Sequence, residues 1–452
     1  MSLTKVTNSM ISGACINILD YGADPTGVAD STTAIALAQA AACSGVIGLG
    51  GNTVISENKV YFPAGTYKVT GLTYVGAPWF GDGQNATFIK LYGSSQICVN
   101  AVGTTSARKI LSIRDMSFDG SNSTGTSYCL RIGYNQRSSG ALQRIRIYNF
   151  PYTAIYFAAP TWMMSFYDVY CYFNANGTSS LRTAITVDTA LGAAQVLALD
   201  WFNLNLENNG FISSAVGGGI DVGSNVAATW AFYGGTWEGN YGIAEARFEG
   251  ITGVYIDGLY LESETASVVN GLLFNNCPGT VSNSRIAGEI GMTGDGIKVT
   301  NGASIHVSQI YSNIKWVNDI SVSATSIVTT SGDNAALIFS VANGGTLQRL
   351  TTNRVQLTDA ATIAVNAALA NSFYVTLFDN RTMGAPTNSS LGQRILFTII
   401  QEPTLGAHTL SWNAIYKVTW SNTGNTASTK SLIEFEYNGT NWVQSSLQVP
   451  YF

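Results

Sequence analysis

Apolar and polar residues alternate at period two over most of this chain, in short runs separated by Gly and Asn. That pattern predicts half-buried strands. One stretch departs from it. "DSTTAIALAQAAACSGV" is Ala-rich, offers Asp30 or Ser31 as an N-cap, and predicts a helix over about 30–45. "DYGADPTGVAD" before it reads as turns, and "VYFPAGTYKV" after it as strand, Pro-Ala-Gly turn, strand.

From residue 110 the alternation becomes a repeat. "LQRIRIYNFPYT", "SFYDVYCYFNANG", "LALDWFNLNLENNG", "WAFYGGTWEGNYG" and "GVYIDGLYLESET" can be aligned. "ILSIRDMSFDGSN" precedes them, "TVSNSRIAGEIG" follows, and each of the seven is followed by a short apolar strand such as "GIDVGS" or "GLLFNN". One copy cannot bury its apolar face alone, whereas stacked copies share a continuous core. Glu207, Glu238 and Glu262 recur after 31 and 24 residues (238 − 207 and 262 − 238), a coil-sized period. The predicted fold is all-β: a right-handed parallel β-helix with a short N-terminal capping helix and a C-terminal antiparallel β domain. A (β/α)8 barrel would need eight helices, and a sandwich would need regularly spaced hairpins.

The expected domains are a lead-in or attachment segment over 1–20, the solenoid over 21–345, and a β-sandwich-like domain over 346–452. In the last, Asn438-Gly439 marks a hairpin turn. Charged residues are only 11 % of the chain and the net charge is −5 without a basic cluster, which excludes nucleic acid and anionic membranes as expected partners. No hydrophobic signal core or membrane-length apolar run is present. Six scattered cysteines form no CxxC pair, and Cys129, Cys171 and Cys277 read as buried thiols of a chain assembled in a reducing cytoplasm. Neither a metal nor another cofactor is expected. Only two histidines are present, His306 late in the solenoid and His408 in the C-terminal domain, so a Ser/His/Asp triad is not expected.

"INILDYGADPTGVADSTTAIALAQAA" resembles the entry motif of the pectate-lyase-like parallel β-helices of bacteriophage tailspikes and capsule depolymerases. "TKVTNSMISG" before it resembles the short lead-in of such phage proteins. "TMGAPTNSSLGQRILFTIIQ…HTLSWNAIYKV…IEFEYNGTNWV" resembles a β domain found at the ends of phage fibres and spikes. The resemblance implies a homotrimeric spike on the virion tail, attached directly or through an adaptor protein, that binds and usually cleaves a bacterial surface polysaccharide outside the cell. The C-terminal domain would then trimerise the spike or bind glycan.

The repeat alignment places Glu207, Glu238 and Glu262 at one position of three successive coils. Asp119, Asn149 or a neighbour, Asn174 and the Ala287–Glu289 region fill the same slot elsewhere. Coils stack about 4.8 Å apart. Carboxylates one or two coils apart therefore span both the about 5–5.5 Å of retaining and the about 6.5–9.5 Å of inverting glycosidases. Glu238 and Glu262 form the expected catalytic pair, with Glu207 helping or replacing one of them, and Asp200, Asp257 and Glu264 as runners-up. Asp257 is expected on the same strand segment as Glu262. Trp230 and Tyr241, with Tyr233 and Tyr260 nearby, are the candidates for stacking on sugar rings. Trp237, adjacent to Glu238 in a strand, must point the opposite way, into the core. Two alternatives stand beside hydrolysis: β-elimination of a uronate polymer, with Arg144, Arg146 or Arg182 as base, and a receptor that binds without cutting.

Overall fold

The computed structural model describes residues 15–43, 47–48, 53–55, 58–104, 108–175, 183–188, 190–191, 195–210, 216–223, 227–264, 268–313, 315–331, 337, 339–341, 345–350, 354–420 and 426–451. Most of the lead-in segment, Arg182 and the expected end of the helix at 45 lie outside the described residues. The chain forms a parallel β-helix with three strand-bearing faces. The third face is a sheet of eleven parallel strands running from Leu72–Thr73 to Phe339–Val341. The seven apolar strands of the sequence repeat all belong to it.

The other half of each repeat, expected as one strand, is two strands joined at a bend. "WAFYGGTWEGNYG" contains Ala227–Tyr233 on the first face and Thr236–Glu238 on the second. A residue in the left-handed region makes each bend: Asn203, Gly234, Gly258 and Asn283 in successive coils. Its N–H donates to the carbonyl of the coil above, as from Gly234 to Asp257 at 2.8 Å. Asn and Gly tolerate this conformation best, which explains their recurrence at the coil period. At Gly235 (φ +97°) a Cβ would meet the Leu204 carbonyl oxygen at 2.1 Å, so no other residue fits.

A second bend, at Phe173, Asn208 and Gly239, leads to the third face. Directly after it stands a buried ladder of asparagines. Asn174 Nδ2 donates to Asn209 Oδ1 at 3.0 Å, Asn209 Nδ2 to Asn240 Oδ1 at 2.8 Å, and Asn240 Nδ2 to Glu245 Oε2 at 2.7 Å. Each amide also donates to a coil backbone, at the carbonyls of Ile147, Cys171 and Leu206. The ladder satisfies polar groups that would otherwise be buried without partners. Asn174 therefore belongs to this ladder and not to the glutamate slot, whose earlier rungs are Tyr172, Tyr148 and Asp119.

Inside the coils Trp79, Trp201, Trp230 and Trp237 are fully buried, and Phe166 stacks on Trp201 with ring centroids 4.0 Å apart. Cys98, Cys129, Cys171 and Cys277 are buried free thiols.

The helix runs Thr32–Ala42 and packs Ile35 and Ala38 over the first coil. Ser31 occupies the N-cap position, but its hydroxyl takes the Asp24 N–H. Asp30 caps instead, accepting the Thr32 N–H at 2.8 Å. Asp24 accepts the Thr26 hydroxyl and the backbone N–H groups of Ala29, Thr26 and Val28, which together hold its carboxyl at about 2. The solenoid begins earlier than expected, because Ile16–Asn17 already pairs with Val60–Tyr61. It also ends later than residue 345, since Thr346–Leu350 pairs in parallel with Ile327–Ser331.

The C-terminal domain has its own core around Phe373, Phe397, Phe435 and Trp442. Lys430–Tyr437 and Trp442–Tyr451 form the expected antiparallel hairpin around Asn438-Gly439. Earlier strands Arg354–Gln356, Ser372–Leu377 and Arg394–Gln401 pair in parallel, so the sheet is mixed. Period-two alternation is identical in both kinds of pairing and does not separate them.

Candidate functional site

The second face presents two outward columns, because alternate residues of each short strand point to opposite sides. One column reads Tyr172, Glu207, Glu238 and Glu262 in register from coil to coil, and ends at Ala287, which is fully buried. The other reads Arg146, Tyr170, Asn205, Thr236, Tyr260, Arg285, Tyr311. Between them Leu206, Trp237 and Leu261 point inward and are buried. Trp237 is thus core, as the alternation requires.

Glu207 and Glu238 line a cleft of about 400 Å³ where the first and second faces meet. Tyr170, Asn205 and Thr236 complete its floor, and Asp168 and Asn203 its bend. Asn203 Nδ2 donates to Asp168 Oδ1 at 2.8 Å, and Asn205 Oδ1 accepts the Thr236 N–H at 2.9 Å, so the polar wall is held by its own bonds.

The three glutamates differ in their partners. The Tyr170 hydroxyl donates to Glu207 Oε2, and the Tyr260 hydroxyl to Glu262 Oε2. Glu238, between them, has no side-chain hydrogen bond among the described residues. Burial, and then the charges of Glu207, Glu262 and Glu264, push its carboxyl up from the ordinary carboxylate range. A carboxyl whose neighbours are other carboxylates is pushed in the direction that a general acid needs.

Glu262 stands in the ladder but does not line the cleft. Glu264 follows the strand end and lies near Gly239, where a Cβ would sit 3.5 Å from its carboxylate carbon. Asp200 is half-buried on the first face, where burial raises its carboxyl. Asp257 closes the first-face strand Val254–Asp257, across a bend from Glu262, and not on the same strand as expected. Its carboxylate accepts Ser282 Oγ and Asn283 Nδ2, each at 2.7 Å.

Trp230 does not serve as a stacking platform. It is fully buried, with its indole N–H on the Val196 carbonyl at 3.3 Å, because it occupies an inward position two residues before Phe232. Tyr241 is half-buried beyond the second bend, its N–H on the Asn209 carbonyl, away from the cleft. Tyr233 is 37 % exposed and belongs to a first-face stack, Tyr167–Phe202–Tyr233, with centroids 4.8 and 4.9 Å apart. Tyr170, Asn205, Thr236, Asp168 and Asn203 went unnoticed in the sequence. The outward column through Thr236 and Tyr260 was readable two residues before each glutamate.

Among the described residues no group of three or more His, Cys, Asp or Glu is placed to hold a metal ion. No helix among the described residues is long and apolar enough to cross a membrane.

Residues 15–131 match the family model described as rhamnogalacturonase A/epimerase, pectate lyase-like. That segment covers the capping helix and first coils and ends before the glutamate ladder. No curated protein matches the chain. Among solved structures, the chain is similar to the Acinetobacter phage vb_AbaP_AS12 gp42 tailspike at a TM-score of 0.51 and 10 % identity, over 98 % of this chain and 82 % of that one. The surface adhesin PfbA of Streptococcus pneumoniae gives a TM-score of 0.48 at 13 % identity, over 96 % and 98 %. WceF of Pantoea stewartii, described as a glycan biofilm modifying enzyme with a tailspike-like parallel β-helix fold, gives 0.43 at 15 %, over 94 % and 54 %.

Proposed function

From a chain of the pectate-lyase-like parallel β-helix fold, we propose a tailspike-type depolymerase that hydrolyses a bacterial surface polysaccharide in the cleft between the first and second faces. The observation that carries the reading is the in-register pair Glu207 and Glu238, one of them held by a tyrosine and the other pushed toward its protonated form. In this reading Glu238 donates its proton to the leaving glycosidic oxygen. Glu207, oriented by Tyr170, attacks the anomeric carbon. Water then cleaves the glycosyl-enzyme, with Glu238 acting as base. Neighbouring coils lie about 4.8 Å apart, close to the carboxyl separation of retaining glycosidases. Glu262 is the alternative partner one coil further on, and its Tyr260 bond supports the same role.

The same reading makes the protein a homotrimer on a virion tail, with the C-terminal domain supporting trimerisation or glycan binding. Light scattering on the purified chain tests the trimer. The function is tested by incubating purified host surface polysaccharide with wild type and Glu238→Gln, followed by size-exclusion chromatography and mass spectrometry. Oligosaccharides one water heavier per cut, formed by wild type alone, are the expected result. Products lacking that water and absorbing in the ultraviolet would mean β-elimination, and bound but uncut polymer would mean a receptor.

A further inference from the structure

Arg285 stands in the outward column next to the glutamates, one coil beyond Tyr260 and two beyond Thr236 of the cleft. Its guanidinium lies between two rings, 4.9 Å from the centroid of Tyr260 and 5.7 Å from that of Tyr311. Tyr311 is 62 % exposed, so the stack opens on solvent. Arg144 and Arg247 of the solenoid spend their donors on carboxylates. Arg144 is paired to Asp115 through Nη2 at 2.9 Å, and Arg247 to Asp221 at 2.6 and 2.9 Å. Arg285 has no carboxylate within ion-pair distance among the described residues, and its buried Nε has no hydrogen-bond partner. Glu262, on the next column, has its Oε2 engaged by Tyr260.

Stacking between rings occupies the two faces of a guanidinium and leaves its edge free. That edge is a fork of N–H donors matched to a planar pair of oxyanion oxygens. A buried donor without a partner is costly in a native fold, and a ligand that bonds to the guanidinium edge offsets part of the charge's desolvation.

We infer that Arg285, stacked between Tyr260 and Tyr311, is a subsite for an anionic substituent of the glycan, a sugar carboxylate or a phosphate. The inference rests on the proposed depolymerase reading and adds the substrate class. Two coils separate Arg285 from Glu238's rung, about 10 Å at the usual strand spacing. That is about one Debye length at physiological salt. The anion is therefore placed away from the scissile linkage, and an uncharged sugar faces the glutamates, where a second negative charge would be repelled. The substrate is a mixed repeat with a displaced acidic group, not a uniformly charged polymer.

The test uses polysaccharide purified from a susceptible host in three forms: native, carboxyl-reduced by carbodiimide and borohydride, and stripped of phosphate. Wild type, Arg285→Gln and Arg285→Lys are assayed on each. Arg285→Gln is expected to raise KM on the native polymer by about tenfold or more, as for the loss of a partner in a close charge pair, with a smaller change in kcat. Arg285→Lys, which keeps the charge but loses the fork, falls between. The modified polymer that lacks the recognised anion should be cleaved by wild type no better than by Arg285→Gln. Loss on carboxyl reduction assigns a sugar carboxylate, and loss on phosphate removal assigns a phosphate. If Arg285→Gln slows all three polymers equally, Arg285 only braces Tyr260 and Glu262 and the inference fails. It fails also if wild type cleaves both modified polymers as well as the native one; the hydrolase reading then stands. Should wild type cleave no form, both fall. If Arg285→Gln does not fold, the wild-type comparison of the three polymers decides alone.

Discussion

Asn240 and Glu245 share one oxygen: the backbone N–H of Asn240 and its side-chain amide both donate to Glu245 Oε2, at 3.1 and 2.7 Å. Glu245 is fully buried at the end of the asparagine ladder, five residues after Asn240 in the chain. Its other oxygen and the Ser263 hydroxyl are both without a partner in bonding geometry. Burial outweighs the Asn240 bonds and pushes the carboxyl up to about 8.

That shift has a definite sign. Between the ordinary carboxylate range and about 8, the folded chain holds a proton on Glu245 that the unfolded chain has released. Stability contributed by this group is therefore complete below the ordinary carboxylate range and is lost progressively as pH rises from there to about 8. Glu245→Gln mimics the protonated state. It should flatten the fall in stability between the ordinary carboxylate range and about 8, and gain on the order of a few kcal/mol at the alkaline end of that window. Denaturant melts at pH 5, 7 and 8.5 check it. A steeper alkaline loss in the variant would mean that Glu245 is ionised in the fold.

Glu238→Gln cannot donate a proton. Turnover should fall by about 10²–10⁴, the usual worth of a positioned general acid. In wild type, activity should decline as pH rises through the raised Glu238 pKa, because the acid form is then lost. A kcat/KM profile without an alkaline limb would assign the proton to another group.

Glu207 lines the cleft and Glu262 does not. Glu207→Gln should therefore cost more turnover than Glu262→Gln, and the products should keep the anomeric configuration of the substrate. NMR of the first product formed reads the configuration. Inversion, or a larger loss at Glu262, would move the nucleophilic role away from Glu207.

Trp230 and Tyr233 lie on opposite sides of one strand. Trp230→Ala removes a fully buried indole and should cost about 3–5 kcal/mol of stability. Tyr233→Ala should leave the melting transition nearly unchanged. It should weaken glycan binding by about 0.5–1.5 kcal/mol, the usual increment of an aromatic pair, if sugar rings pack on the Tyr167–Phe202–Tyr233 stack. Calorimetry for the first and glycan titration for the second separate the two roles.

The repeat made the solenoid and the Glu207–Glu238–Glu262 register readable, since one slot recurring at the coil period must stack. The bend at Asn203, Gly234 and Gly258 was harder, because a single left-handed residue does not interrupt the apolar alternation that surrounds it. Missing the bend put Asp257 on the wrong strand. Tyr170 was obscure for another reason: it meets Glu207 across 37 residues, and only the coil length of its own stretch says so. Asn174 was misplaced because a ladder of buried amides and a ladder of outward carboxylates both recur once per coil.

The parallel pairing between successive coils also governs how the chain can be made. Strand partners such as Glu207 and Glu238 or Trp237 and Leu261 lie roughly one coil apart in sequence, so each coil finds its template among residues already synthesised. The helix Thr32–Ala42 closes the end that leaves the ribosome first. The solenoid can grow from that seed in the order of translation, each new turn covering the exposed edge of the last, with no need to wait for the distant C-terminus.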